Sequence, residues 1–132
     1  WPNKEENLFV VDCEIYKRYN TNMYFDLVSK NYSKYYNNNA EELNSMAWKI
    51  YEKATKPEHI NAGINMAKRA CELEPSYAYL DTYAAVLYKS ENYKEAKSQA
   101  EKAIAQAKNS GLTEKDYEET NALLIKINEK LK

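Results

Sequence analysis

The segment Asn44–Tyr51 reads N-S-M-A-W-K-I-Y, and 37 residues later Asp81–Tyr88 reads D-T-Y-A-A-V-L-Y, with a small residue in the same slot. A second echo follows each copy: M-A-K-R-A at Met66–Ala70 and Q-A-E-K-A at Gln99–Ala103 repeat alanines at one spacing, 33 residues apart. Paired helices repeated at a period in the thirties constrain a chain to a helical solenoid, because each pair buries its apolar face only against the next. Such assemblies bind more often than they catalyse.

The remaining pattern reads as seven helices joined by short polar turns. The first is expected from Glu5 to Tyr19, with Leu8, Val11, Ile15 and Tyr19 as its apolar stripe, although the apolar run Leu8 to Val11 also reads as a short strand. Asn20-Thr21-Asn22 supplies stop and cap chemistry before a second helix, Met23 to Tyr36, striped by Tyr24, Val28, Tyr32 and Tyr35. Asn39 caps the third, with Glu42 placed for a capping box, and that helix runs to about Ala54. Pro57 fits the first position of a fourth helix, which carries Ile60, Ile64, Ala67, Ala70 and Cys71 on one face and ends near Glu74 and Pro75.

Ser76 caps the fifth helix, Tyr77 to Lys89, which presents Leu80, Tyr83, Ala84 and Leu87. Asn92 and Glu95 spell a second capping box for the sixth, which buries Tyr93, Ala96, Ala100, Ala103 and Ala107. Gly111 suits the left-handed position after it, and Thr113 with Asp116 opens a seventh helix whose inward residues are Tyr117, Leu124, Ile127 and Leu131. The alanines let helix backbones approach closely; Ala47, Ala84, Ala96 and Ala103 are the expected contact points. With only two glycines and three prolines in 132 residues, little interrupts this reading.

Nineteen basic against twenty acidic residues leave a net charge of −1, so no global field attracts a phosphate backbone, and no nucleic-acid partner is expected. Lys94, Lys97, Lys102 and Lys108 are interleaved with Glu95 and Glu101, as on a solvated helix face. No apolar run reaches the length of a membrane span, and no signal peptide precedes the fold; a chain beginning Trp1-Pro2 reads as trimmed or processed.

Chemistry-bearing motifs are sparse, and the expectation is a non-enzyme without cofactor. His59 stands alone in a helix's first turn beside Glu58 and is expected to be solvated. Cys13 and Cys71 form no C-x-x-C pair; a disulfide between them is open if their helices touch, but Cys71 falls on an apolar stripe, as a buried thiol does. Two cysteines and one histidine fall short of a zinc set. The pairs Glu41 and Glu42, and Glu118 and Glu119, sit at helix starts, where negative charge complements the dipole. Asn31-Tyr32-Ser33 spells a glycosylation acceptor, inside the second helix.

The echoes resemble tetratricopeptide repeats over Asn39 to Lys108. Tyr83, Ala84 and Leu87, then Tyr93, Ala96, Ala100 and Ala103, follow the order of the repeat's two helices. Ala47 and Ile50, then Gly63, Ala67, Ala70 and the closing Pro75, match the first copy, with about four extra residues between Glu52 and Ile60. The resemblance implies an all-α, tetratricopeptide-like right-handed helical solenoid of about seven helices. At 132 residues the chain suits one helical domain: an N-terminal helix pair to residue 38, two repeats over 39–108 and a capping helix over 109–132.

L-D-T-Y-A-A-V-L-Y-K, A-E-K-A-I and L-N-S-M-A-W, with the tyrosine-rich helices before them, are similar to a helical region that follows the thioredoxin-like domain in some secreted or periplasmic proteins of Bacteroidetes. That likeness, over Leu8 to Lys130, implies an accessory region of a larger thioredoxin-like protein and a periplasmic or secreted location. The chain has no W-C-x-x-C, so the redox activity of those proteins carries over to none of its residues.

If the repeats stack as the resemblance implies, the first helix of each lines a concave face, whose exposed side carries Asn44, Trp48 and Tyr51, then Asp81, Ala85 and Tyr88. Rings beside amide and carboxylate groups suit a protein or peptide partner. The bland alternative packs Trp48 and both tyrosines on the N-terminal helix pair. Asp81 and Glu52 oppose an anionic ligand, so a neutral, basic or aromatic segment is expected. Two other functions stay open: substrate positioning for a thiol-disulfide oxidoreductase, and homodimerisation through the tyrosine-rich N-terminal helices.

Overall fold

The computed structural model describes residues 4–132, so the Trp1-Pro2 start lies outside it; the described residues form seven α-helices and no strand. These are α1 (Lys4–Tyr19), α2 (Thr21–Tyr35), α3 (Ala40–Lys53), α4 (Pro57–Leu73), α5 (Tyr77–Lys89), α6 (Tyr93–Asn109) and α7 (Glu118–Lys130).

Local chemistry sets most of these limits. Asn20 Oδ1 accepts from the Met23 N–H at 3.2 Å, Asn39 Oδ1 from the Glu42 N–H at 3.1 Å, and Ser76 Oγ from the Tyr79 N–H at 3.4 Å. Pro57 opens α4, and Gly111 takes a left-handed φ of 81° after α6. The capping boxes do not close. The Asn39 N–H goes to the Tyr36 carbonyl instead of Glu42, and Asn92 makes no side-chain cap; its amide turns to Ser90 Oγ while Glu95 accepts from Gln99. Thr113 donates its N–H and Oγ1 to Asp116, which closes a turn, and α7 begins later, at Glu118.

The most extensive helix contacts are α5 with α6 and α3 with α4. Further contacts join α4 to α5, α3 to α5, α6 to α7 and α5 to α7. Ala47, Ala84, Ala96 and Ala103 are all fully buried, as small residues at tight helix seams must be. Inserting leucine at Ala84 is expected to cost about 1–3 kcal/mol through overpacking; an unchanged thermal midpoint would mean that no tight seam exists at that position. Gly63 is a further close approach: a Cβ added there would stand 2.7 Å from Ile50 Cγ2.

The N-terminal pair departs from expectation. Leu8 (55% exposed), Val11 and Ile15 face outward with Tyr19, while Phe9 and Cys13 on the opposite side of α1 are buried. Aromatic stacking decides the orientation, since Phe9 lies 4.8 Å from the Tyr35 ring and 5.8 Å from Tyr36. The backbone of α1 runs close to α2 alone; α2 in turn reaches α3 and α4. Arg69 of α4 fastens the turn between α2 and α3, donating from Nε to the Asn37 carbonyl and from Nη2 to Asn38 Oδ1. Two smaller expectations also fail: Leu131 is exposed, and on α4 His59, Gly63 and Met66 are buried more fully than Ile60, Ile64 and Cys71. Asn31 donates its amide to the Leu27 carbonyl within α2.

Candidate functional site

Four of the six residues expected on the concave side meet around one cleft. Trp48 and Tyr51 of α3, Asp81 and Ala85 of α5, and Glu119, Ala122, Leu123 and Lys126 of α7 line a space of about 240 Å³. The Trp48 and Tyr51 rings lie one turn apart on α3, with centroids 5.0 Å apart and planes tilted by 45°. Lys89, at the end of α5, donates from Nζ to the Tyr51 carbonyl at 2.7 Å and satisfies an acceptor in the last turn of α3. The α3 end of the cleft is thereby tied to α5.

The other two expected residues lie elsewhere. Asn44 does not line the cleft, and its Oδ1 is buried without a donor; Tyr88 turns toward α6 and packs on Tyr93 at 5.7 Å. Ala85 is not exposed as expected but buried, because α5 is apolar nearly all round and lies among four other helices.

Asp81 is not a freely solvated groove residue either. Thr120 Oγ1, fully buried on α7, donates to Asp81 Oδ1 at 2.6 Å, and the Tyr77 hydroxyl lies 2.7 Å from the same Thr120 oxygen. Thr120 has one proton, and an ionised carboxylate can only accept it, so Tyr77 donates to Thr120 and Thr120 to Asp81. Burial holds the Asp81 carboxyl above its ordinary range, opposed by the Thr120 hydrogen bond and reinforced by the Glu119 charge. Burial also raises the Tyr51 phenol, followed by the charge of Asp81.

His59 overturns its expectation outright. It is fully buried (0% exposed), and Nε2 lies 2.6 Å from Asp26 Oδ1 on α2, with the Phe25 ring 5.5 Å away. Nδ1 is buried without a partner, as is Ser29 Oγ nearby in the chain. The pair joins α2 to α4, with the imidazole enclosed and the Asp26 carboxylate half exposed. The hydrogen bond from His59 holds the Asp26 carboxyl below its ordinary range. A depressed carboxylate stabilises the fold above its unfolded pKa of about 4 and loses that contribution as pH falls through the folded value. Urea unfolding is therefore expected to weaken more between pH 5 and acid in the wild type than in Asp26→Asn; equal slopes would remove Asp26 from the α2–α4 junction.

The cysteines are free. Burial pushes both thiols up to about 11, so they remain protonated near neutrality and are poor nucleophiles. Among the described residues, no group of three His, Cys, Asp or Glu side chains is placed to hold a metal ion, and no helix is long and apolar enough to cross a membrane.

Comparison with family models, curated proteins and solved structures finds no match to the chain.

Proposed function

We propose that this chain is a non-catalytic protein-binding module. In this reading α3 with α4 and α5 with α6 are two tetratricopeptide-like repeats of a right-handed solenoid, α7 is the capping helix, and residues 1–132 form one domain. The observation that carries it is the cleft in which α3, α5 and α7 converge, with Trp48 and Tyr51 side by side and partly exposed. Aromatic rings held on rigid helices contribute contact area at little entropic cost. The occupant is a segment of a partner protein, and the module serves as an accessory region of a larger thioredoxin-like protein.

The test is direct. A library of random heptapeptides is panned against the full chain, and binders are titrated while Trp48 emission is followed in a Trp1→Phe background. Binding that shifts Trp48 emission and disappears in Tyr51→Ala is expected. Binders insensitive to both Trp48 and Tyr51 would remove the cleft from consideration.

A further inference from the structure

The chemistry of the cleft narrows its occupant, a step that rests on the peptide-binding reading above. Pockets that enclose a whole small molecule measure roughly 300–1,000 Å³. This one, at about 240 Å³, suits a single side chain. Trp48, Tyr51 and Leu123 supply apolar and π surface, whereas Asp81 and Glu119 place two carboxylates against the one ammonium of Lys126.

Asp81 is the most telling of these groups. It is partly buried, its Oδ1 is taken by Thr120, and its Oδ2 has no donor among the described residues. No lysine, arginine or histidine among them lies within ion-pair distance of it. A carboxylate taken out of water without a cation costs stability, and the neighbouring Glu119 adds to that cost. An anionic occupant would increase the imbalance, a neutral one would leave it, and a cation would cancel it. Lys89 Nζ already stands 6.0 Å from the Tyr51 ring centroid, so it is the face of Trp48 that favours the same sign of charge.

We infer that the cleft takes one cationic side chain, lysine or arginine, from a partner segment. The aliphatic stem lies along Trp48 and Tyr51, and the charged head meets Asp81 Oδ2 and the Glu119 carboxylate. Lys126 opposes such an occupant and sets an upper limit on its affinity.

The experiment uses the peptides selected above. Resynthesised with norleucine for lysine, or citrulline for arginine, at the enriched position, they are expected to bind roughly tenfold more weakly, as loss of a charge-assisted contact implies. Asp81→Asn keeps an acceptor for Thr120 but removes the charge; it should weaken the original peptide by a similar factor while folding at least as stably as the wild type. Lys126→Gln should strengthen the same peptide. Should Asp81→Asn fold poorly, Glu119→Gln and the citrulline peptides still decide.

Peptides that depend on Trp48 but carry no cation, or that bind better to Asp81→Asn and worse to Lys126→Gln, overturn the cationic occupant and leave the groove standing. Peptides that never depend on Trp48 overturn both.

Discussion

Ile50→Ala is expected to destabilise the protein by about 2–5 kcal/mol, the cost of a large-to-small change in a close-packed interior. Ile50 is fully buried on α3, and its Cγ2 would stand 2.7 Å from a Cβ on Gly63 of α4. The two helices meet there with no spare room, so deleting the branched side chain opens a cavity between them. Gly63→Ala tests the same contact from the other side. It gains about 1 kcal/mol of helix propensity and loses about 1–3 kcal/mol to overpacking, so a smaller net loss is expected. In the double variant the added methyl enters the vacated space. The two costs should therefore sum to less than their separate values in urea unfolding; strict additivity would mean that this contact does not set the α3–α4 spacing.

Thr120→Val is expected to cost about 1.5–3 kcal/mol at neutral pH, because a hydrogen bond to a charged acceptor is lost with little change of shape. The substitution leaves Asp81 Oδ1 without its donor and the Tyr77 hydroxyl without its acceptor, both between α5 and α7. Its pH dependence carries a sign. The Thr120 hydrogen bond lowers an Asp81 pKa that burial otherwise raises. Removing it raises the folded value further, and a group with a raised folded pKa loses stability as pH rises through that value. The penalty should thus shrink as the solution is acidified and Asp81 takes up a proton. Chemical denaturation of variant and wild type at pH 7 and pH 4 measures this. A penalty of equal size at both would assign the effect to packing around Thr120 rather than to Asp81.

The limits of the helices were legible because their causes are local. Asn39, Ser76, Pro57 and Gly111 act within a few residues of themselves, and α5 runs from Tyr77 to Lys89 as the pattern implies. The alanine seams were legible for a related reason, since a small residue recurring on one helix face has few uses other than close approach. What stayed hidden depends on partners distant in sequence. His59 lies 33 residues from Asp26, and Thr120 lies 39 from Asp81; no spacing rule links either pair.

The buried face of α1 departs from its hydrophobic pattern for a different reason. Leu8, Val11 and Ile15 form the more hydrophobic stripe, but the cluster of Phe9, Tyr35 and Tyr36 determines which side turns inward, and ring stacking is not written in a helical period. The cleft was half legible. Its α3 and α5 residues follow from the echo between Asn44–Tyr51 and Asp81–Tyr88, whereas its α7 wall carries only the pattern of a terminal cap.

Because the backbone of α1 runs close to α2 alone, while α5 is bordered by α3, α4, α6 and α7, cohesion is graded along the chain. Opening the first helix uncovers one neighbour; opening the fifth requires most of the others to part. The free energy of exposing a backbone amide therefore climbs from the N-terminus toward the middle of the chain, so that one end can breathe while the cleft keeps its form.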